Sequence, residues 1–534
     1  DDAPMSEFWA WSWEHRIGDK NRFFVKQPAS AAHTYGHQLV LAEGFTDIGP
    51  NWQESLWSNL KPSFDQALCE GLNVLVWHAF VCSPDSTGIP GQQYFAGTHL
   101  NPKVTWWGKS QAFFSYIDRC QALLQEGLPF ADVLYYYGDH VPNFAQLKKS
   151  DPAKILPGYD YDVITEEAML ERTSVRDGRI VLPDGVSYRV LVLPKWNSIS
   201  LPVLQKIAQL VADGATVIGP KPIEASGLND YPKCDEQLNA LADKLYGNGI
   251  ITNQSARELL LARGVPPDFE WSNAGSGPQP EIDFIHRKTA EGEIYFVANR
   301  SSNTVALNCE FRVNGLAPEL WDPVSGEHHF ATSCEEKEGR TSLPLHFDPC
   351  GAWFVIFREP AAGHPTVATR NWPEFQEMTE LAGPWTVQFD PRWGGPDSVT
   401  FDKLESWTRR TEPGIKYYSG TATYHKTFTL PALTGQKIML DLGAVRELAE
   451  VKVNGSSCGI LWTPPFRADI TGAVHAGENS LEVEVVNFWP NRIIGDKALP
   501  LNKRFTRTNV AAFKRYSPLM ESGLLGPVRL LLRQ

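Results

Sequence analysis

Glu43 stands out because a carboxylate directly follows an unbroken run of apolar and small residues. Residues 39–42 are Leu-Val-Leu-Ala, and Gly-Phe-Thr follows Glu43. Strands of a parallel sheet are buried on both faces and are therefore continuously apolar, and barrel enzymes carry out their chemistry at the carboxyl ends of such strands. Glu43 is thus the leading catalytic candidate. The alternative is an ordinary strand-end acid that neighbouring backbone donors or an arginine satisfy.

His78 is the second polar residue in such a position. It follows the apolar run Val74-Leu-Val-Trp77 near the carboxyl end of another predicted strand. Its imidazole could hydrogen-bond a substrate hydroxyl or orient a carboxylate, and the alternative is a histidine satisfied in the core. His33 and His37 are four residues apart, but Gly36 breaks their helix and no third ligand is near, so they do not predict a metal site.

Aromatic residues are abundant, with 18 tryptophans and 16 tyrosines among 534 residues. Such rings stack on the apolar faces of sugars, although packing in the core is the commoner use of any one of them. Four tryptophans lie in loops expected on the same side as Glu43: Trp9, Trp11, Trp106 and Trp107. We expect at least one of them to stack on a sugar and the others to pack.

The elements that must position these residues predict a multidomain chain of α/β and β units. Residues 1–150 alternate apolar strands, one of them over 131–137, with helices, which favours the C-terminal part of a (β/α)8-type barrel. Residues 151–265 resemble a flavodoxin or amidotransferase-like α/β domain. They lack a nucleophile elbow and a phosphate-binding loop, which predicts a structural role. Residues 266–360 predict a small β-sandwich, and residues 361–534 predict a jelly roll.

The barrel strands are too few for closure. Residues 1–150 offer four, whereas a closed barrel needs eight, and the parallel edges of half a barrel would invite aggregation. We therefore expect an upstream segment or another chain to complete the barrel. A small open sheet is the alternative.

Composition excludes several classes of partner. A net charge of -13 argues against nucleic acid, which needs a concentrated basic surface. No apolar run approaches the roughly 18 to 20 residues of a membrane span. The eight cysteines show neither a disulfide framework nor zinc-site spacing. Cys334 and Cys350 could pair in an oxidising compartment or remain free thiols.

Several short motifs point to one enzyme family. The last region resembles the galactose-binding-like module of family 2-type glycosidases through Gly383-Pro-Trp385, Tyr418-Ser-Gly420, Val451-Lys-Val-Asn-Gly455 and Pro464-Pro-Phe466. A rarer string follows at Asn487-Phe-Trp-Pro-Asn-Arg-Ile-Ile-Gly-Asp496. The first region adds Pro4-Met-Ser-Glu-Phe-Trp9, Ala29-Ser-Ala-Ala-His-Thr-Tyr-Gly36, Ala42-Glu-Gly-Phe-Thr46 and Glu70-Gly-Leu-Asn73. Together they resemble glycoside hydrolase family 106, the α-L-rhamnosidases, from mid-barrel to the C-terminus.

The resemblance implies inverting hydrolysis of terminal α-L-rhamnosides by two carboxylates with a calcium ion as cofactor. It gives Glu43 the role of general base and makes Glu7 a second active-site carboxylate, either general acid or calcium ligand. An inverting pair stands about 6.5 to 9.5 Å apart, which neighbouring barrel strands could supply. Family members carry a further acid and metal ligands upstream of the matching region. If the general acid lies there, this chain alone cannot turn over substrate.

Three polar residues follow the Glu43 strand. Asp47 and Asn51 could offer oxygen ligands to calcium, although no EF-hand loop is present. Glu54 is expected at the surface or in support behind the site.

Taken with the family resemblance, the sequence predicts a periplasmic or secreted glycosidase acting on poly- or oligosaccharide. Its non-enzyme rival is a carbohydrate-binding or scaffold fragment of such an enzyme.

Overall fold

The computed structural model describes residues 3–10, 25–48, 51–97, 100–140, 143, 145, 147–247, 249–273, 279–432 and 435–533. Residues outside these ranges, Trp11 among them, lie outside the described structure.

The first region is built around three parallel strands in the order β1-β2-β3. Its elements are β1 (Met5–Trp9), α1 (Lys26–Tyr35), β2 (Leu41–Thr46), α2 (Lys61–Cys69), β3 (Val74–Trp77), β4 (Pro90–Gly91), α3 (Gln111–Leu124) and β5 (Leu128–Pro129). Gly36 ends α1 in the left-handed conformation (φ 81°), as its sequence position predicts. At Gly44 in β2, a Cβ atom would lie 2.2 Å from Leu75 and 2.6 Å from Phe8, so only glycine fits beside Glu43.

The prediction of a fourth barrel strand over 131–137 is wrong. That segment forms β6 (Val133–Tyr136), which pairs with strands of the next region and not with β3. The first sheet therefore has three strands among the described residues, and the second α/β unit begins before residue 150. A buried parallel strand is continuously apolar in either sheet, so the pattern could not distinguish them.

The second region centres on β6 in a parallel sheet of order β13-β11-β6-β7. Its remaining elements are β7 (Tyr161–Ile164), α4 (Glu166–Arg172), β8 (Ser174–Arg176), β9 (Arg179–Val181), β10 (Ser187–Tyr188), β11 (Val190–Val192), β12 (Ser198–Ile199), α5 (Leu201–Ala212), β13 (Val217–Ile218), β14 (Glu224–Ala225), α6 (Lys233–Gly247) and α7 (Ala256–Ala262). In chain order the four parallel strands run 2-1-3-4, which is the order of flavodoxin-type sheets. A parallel bridge from Ile218 to Thr252 adds a fifth position.

The third region packs two antiparallel sheets around one apolar core. Its strands are β15 (Phe269–Ser272), β16 (Ile282–Lys288), β17 (Glu293–Asn299), β18 (Val305–Phe311), β19 (Leu316–Trp321), β20 (His328–Phe330), β21 (Glu335–Lys337), β22 (Arg340–Phe347) and β23 (Ala352–Pro360). One sheet is β15-β18-β22-β21, and the other is β20-β19-β23-β17-β16-β5. Because β5 comes from the first region, the sandwich is joined to that region by backbone pairing.

The fourth region also has two main antiparallel sheets, β24-β36-β28-β32 and β26-β25-β27-β33-β30-β31. Its elements are β24 (Phe375–Glu380), β25 (Trp385–Phe389), β26 (Val399–Phe401), α8 (Pro413–Lys416), β27 (Thr421–Leu430), β28 (Lys437–Asp441), β29 (Ala444–Arg446), β30 (Leu448–Val453), β31 (Ser456–Leu461), β32 (Arg467–Asp469), β33 (Gly477–Val486), α9 (Pro490–Asp496), β34 (Arg507–Thr508), β35 (Gly523–Gly526) and β36 (Arg529–Arg533). A single core lies between these sheets.

The string 487–496 joins the fourth region to the first. All residues of α9 are buried. The indole Nε1 of Trp489 donates a hydrogen bond to the Lys103 carbonyl at 2.7 Å, and Ile493 and Ile494 belong to the same core as Trp106. The family-specific string therefore forms an interdomain contact.

Two further predictions concern the whole chain. None of the helices in the described part is long and apolar enough to cross a membrane. All eight cysteines are free, so Cys334 and Cys350 are not paired here.

Candidate active site

Glu7 and Glu43 lie side by side on neighbouring parallel strands. Their Cα atoms are register partners in the pairing of β1 with β2. Adjacent strands are about 4.8 Å apart, and in-register side chains of parallel strands point to the same face, so both carboxylates share one face of the sheet. Residues on the opposite face, such as Phe8 and Leu75, are buried. Both glutamates are half-buried, and the Glu43 side chain is 35% exposed.

Glu43 has few partners. The Thr46 hydroxyl donates a hydrogen bond to Glu43 Oε1 at 3.0 Å, and His78 Nε2 lies 3.7 Å from the same oxygen. Among the described residues neither an arginine nor a backbone N–H contacts Glu43, in contrast to the strand-end alternative. Oε2 is thus left to accept a proton from solvent or substrate.

His78 is held against Glu43 by the loop that crosses it. A Cβ atom on Gly97 would lie 2.3 Å from His78 Nδ1, so this close approach needs glycine. The Gly97 N–H donates to the Asp47 carbonyl at 2.6 Å, which ties the loop to the segment after β2. The structure therefore places His78 where it can orient Glu43.

Three exposed aromatic rings lie in the segments that follow the His78 strand, and sequence reasoning did not single them out. They are Phe80, Tyr94 and Phe95, with exposed fractions of 63%, 47% and 66%. The Tyr94 ring centroid is 6.0 Å from that of His78 and 4.5 Å from that of Phe95. The available signal was the pair Tyr94-Phe95 in a Gly-rich loop soon after the His78 strand.

The tryptophans predicted to stack on sugar are less accessible. Trp9 and Trp106 are buried, and Trp107 is half-buried against Phe80 and Phe114. Trp9 and Trp106 therefore pack in this structure, and Phe80, Tyr94 and Phe95 offer the open ring faces.

Glu54 is buried, so of its two expected places the surface is excluded and a supporting place behind the site stays a prediction. It lines a small enclosed space whose other walls are Trp52, Val104, Thr105, Trp106, Phe488 and Trp489. Burial, and then the charge of Asp47, raise the pKa of the Glu54 carboxyl well above its usual value. Glu54 is thus a buried carboxyl whose surroundings disfavour its charged form. The two residues of the fourth region that bury it could not be connected with it from sequence.

The described residues do not complete a calcium site. No group of three or more His, Cys, Asp or Glu side chains among them is arranged so that it could hold a metal ion. Glu7 can offer one carboxylate, and it makes no hydrogen bond or ion pair within the described structure. His33 lies away from Glu7, on α1, where its Nδ1 is 2.9 Å from Asp162 Oδ1 of the second region.

Comparison with known proteins identifies the family of this chain. The structure of a rhamnosidase from Novosphingobium sp. PP1Y matches with a TM-score of 0.91 and 32% identity over 99% of this chain. A curated protein of Formosa agariphila, named "Putative beta-glucuronidase", is 28% identical over an alignment that covers 99% of this chain. This chain spans 51% of the solved rhamnosidase and 65% of the curated relative. The family model described as alpha-L-rhamnosidase matches residues 1–333. The chain therefore belongs to glycoside hydrolase family 106.

Proposed function

We propose that this protein hydrolyses terminal α-L-rhamnosides in oligo- or polysaccharides, with Glu43 as the general base. The observation that carries the proposal is the under-coordinated carboxylate of Glu43, which lies beside His78 on the accessible face of a parallel sheet in a rhamnosidase-family chain. In catalysis Glu43 Oε2 would take a proton from water as that water attacks the anomeric carbon. Thr46 and His78 would keep the carboxylate in position.

The spacing of Glu7 and Glu43 bears on the role of Glu7. Register partners on adjacent strands have backbones about 5 Å apart, whereas an inverting acid and base stand about 6.5 to 9.5 Å apart to admit a water molecule. If the two side chains project in parallel, so that their carboxyl groups keep about the backbone spacing, Glu7 would serve as a ligand of sugar hydroxyls or of calcium and not as the acid. The general acid would then come from strands that complete the barrel.

The sheet itself supports a need for further strands. β1 and β3 are its edges within the described structure. Met5 and Val76, on the same face as the two glutamates, are exposed large apolar residues. Since parallel edges and apolar faces are normally covered, an upstream segment or a second chain packed here would complete the site.

Calcium remains a prediction from the family resemblance. The described residues supply too few ligands to hold the ion by themselves. If calcium is bound, it would add positive charge near the sugar hydroxyls, and Glu7 would be its ligand from this chain.

The exposed rings fit a role in substrate binding. Tyr94 and Phe95 stand beside the His78 and Glu43 pair, where a second sugar or an aglycone would extend from the cleaved bond. Stacking on these faces would favour substrates longer than a single rhamnose.

The test is hydrolysis of an aryl α-L-rhamnoside, with an aryl β-glucuronide assayed in parallel because of the name of the curated relative. Release of β-rhamnose as the first product, observed by NMR, would support inversion. Loss of activity with a chelator would support the metal. Rhamnose binding without turnover would instead favour the rival, a non-catalytic carbohydrate-binding fragment.

A further inference from the structure

A second cavity lies at the opposite end of the first sheet from Glu43. Its volume is about 420 Å³, within the usual range for small-molecule sites. Glu70 directly follows α2 and lies just before the amino end of β3. Glu43 and His78, by contrast, lie toward the carboxyl ends of their strands. The cavity also reaches β15 and β16 of the sandwich, so three regions of the chain enclose it.

Glu70 is a buried carboxyl with unused hydrogen-bonding capacity in this cavity. Its side chain lines the space although the residue is only 2% exposed. Oε2 accepts the backbone N–H of Lys148 at 2.9 Å, and Oε1 has no partner among the described residues. Burial raises the pKa of Glu70 to about 7, so near neutral pH it can both donate and accept a hydrogen bond.

Trp271 provides an aromatic wall on the sandwich side. It lies on β15, half-buried, and its indole N–H donates to none of the described residues. Gln66 and Arg300 lie on the same walls and are held together, since Arg300 Nη1 donates to Gln66 Oε1 at 2.5 Å. A cavity whose walls combine a flat aromatic ring with a fixed amide and a guanidinium group is suited to a ring-shaped, polyhydroxylated ligand.

The charge of the lining is balanced. Three acidic and three basic side chains contribute to it: Glu70, Glu270, Asp283, Lys148, Lys149 and Arg300. Several of these charges are already paired, because Lys148 Nζ lies 3.6 Å from Asp283 and Arg340 Nη1 donates to Glu270 at 2.8 Å. Such a wall favours a neutral ligand over a strongly charged one.

We propose that this cavity is a second, non-catalytic carbohydrate-binding site that takes one or two neutral sugar units. Trp271 stacks on the ring, and Glu70 hydrogen-bonds its hydroxyl groups. The sugar class of the ligand rests on the proposed glycosidase function, whereas the site itself rests on the cavity and its walls. Its use would be to hold a polysaccharide chain at a distance from the cleavage site.

Equilibrium dialysis with labelled L-rhamnose and, separately, D-galactose tests the proposal. The intact chain would carry Glu43→Gln, so that binding is measured without turnover. We expect Trp271→Ala to weaken binding of at least one of these sugars about tenfold or more, the effect of about 1.4 kcal/mol of lost stacking. Glu70→Leu, which keeps about the same size but can neither donate nor accept a hydrogen bond, should weaken the same binding.

The matched control is Trp196→Ala, which removes an exposed tryptophan of the second region. It should leave sugar binding unchanged. Trp271→Phe, with its unfolding midpoint measured, serves if Trp271→Ala does not fold. If the Trp271 and Glu70 variants bind both sugars as tightly as the protein that carries only Glu43→Gln, the proposal is overturned.

One further readout separates this inference from the proposed function. In the protein with Glu43 intact, Trp271→Ala should leave hydrolysis of a small aryl α-L-rhamnoside unchanged, because that substrate does not reach the cavity. A wild-type chain that binds sugar through Trp271 but hydrolyses nothing would reject the proposed function alone.

Discussion

Two carboxylates of the molecule, Glu43 and Asp162, are treated in opposite ways. Glu43 is 35% exposed and accepts one hydrogen bond, from Thr46. Asp162 is buried between α1 and the second region, where Ser30, His33 and Tyr188 hydrogen-bond its carboxylate. A group that holds a fold together is saturated with donors, whereas a group that must accept a proton during a reaction keeps an oxygen open.

The pKa of Asp162 reflects its saturation. Burial alone would raise it, but the neighbouring His33 and Lys26 and the hydrogen bonds from His33 and Tyr188 hold it below its usual value. The contrast therefore predicts that variants of Asp162 and Glu43 change different measured quantities.

The largest effect is expected from Asp162→Ala. It removes the shared acceptor of three side chains and leaves Lys26 and His33 buried with less compensation, which should lower the free energy of unfolding by about 3 to 5 kcal/mol. Urea denaturation would measure the loss, with the exposed Asp213→Ala as control. A decrease in the free energy of unfolding below about 1 kcal/mol would show that Asp162 is not a major stabilising group of the fold.

Glu43→Gln should act on the rate instead. Loss of the general base should lower kcat by at least about a hundredfold, equivalent to about 2.7 kcal/mol, with an unchanged unfolding midpoint. The control is Glu171→Gln, an exposed residue of α4. Unchanged turnover of an aryl α-L-rhamnoside would exclude Glu43 as the base.

Glu70 is a third kind of carboxyl, because burial keeps it protonated at pH values where an exposed glutamate is already charged. Its folded pKa of about 7 is above the value of 4.5 expected when unfolded, so its contribution to stability is complete below pH 4.5 and is lost as the pH rises to 7. Asp283 adds to the rise of the pKa, and Lys26 and Lys148 oppose it. Between pH 5 and 6.5 the loss from this group should be about 2 kcal/mol.

Glu70→Gln should therefore flatten the decrease in stability over that pH interval. Thermal unfolding at several pH values would show it, and the exposed Glu236→Gln should keep the wild-type slope. Equal slopes in wild type and Glu70→Gln would mean that Glu70 ionises normally.

The smallest effect is expected from Thr46→Val, which keeps the shape of the side chain but removes the one hydrogen bond to Glu43. We expect about a tenfold decrease in kcat with little change in KM, because a charge-assisted hydrogen bond contributes about 1.5 kcal/mol. A change in KM alone would assign Thr46 to substrate binding.

Some of this arrangement was readable from sequence because it depends on local patterns. The apolar run into Glu43 predicts its strand, and Gly36 predicts the end of α1. The apolar segment 131–137 was assigned to the wrong sheet, because strand pairing depends on residues far away in the chain.

The surroundings of the site were harder to predict for the same reason. Glu54 is buried by Phe488 and Trp489, more than 400 positions away in sequence. The open faces of Tyr94 and Phe95 depend on how one loop folds over His78, for which periodicity gives no signal. The roles of Glu7 and His78 and the calcium ion remain predictions.

The buried helix α9 has a consequence for how this chain can be divided. Trp489, Ile493 and Ile494 belong to the same apolar core as Trp106 and Phe113 of the first region. A chain shortened before residue 361 would expose that surface to water and lose the Trp489 hydrogen bond to Lys103. The fourth region is therefore not a detachable sugar-binding module. Limited proteolysis between the regions should release no stable catalytic fragment.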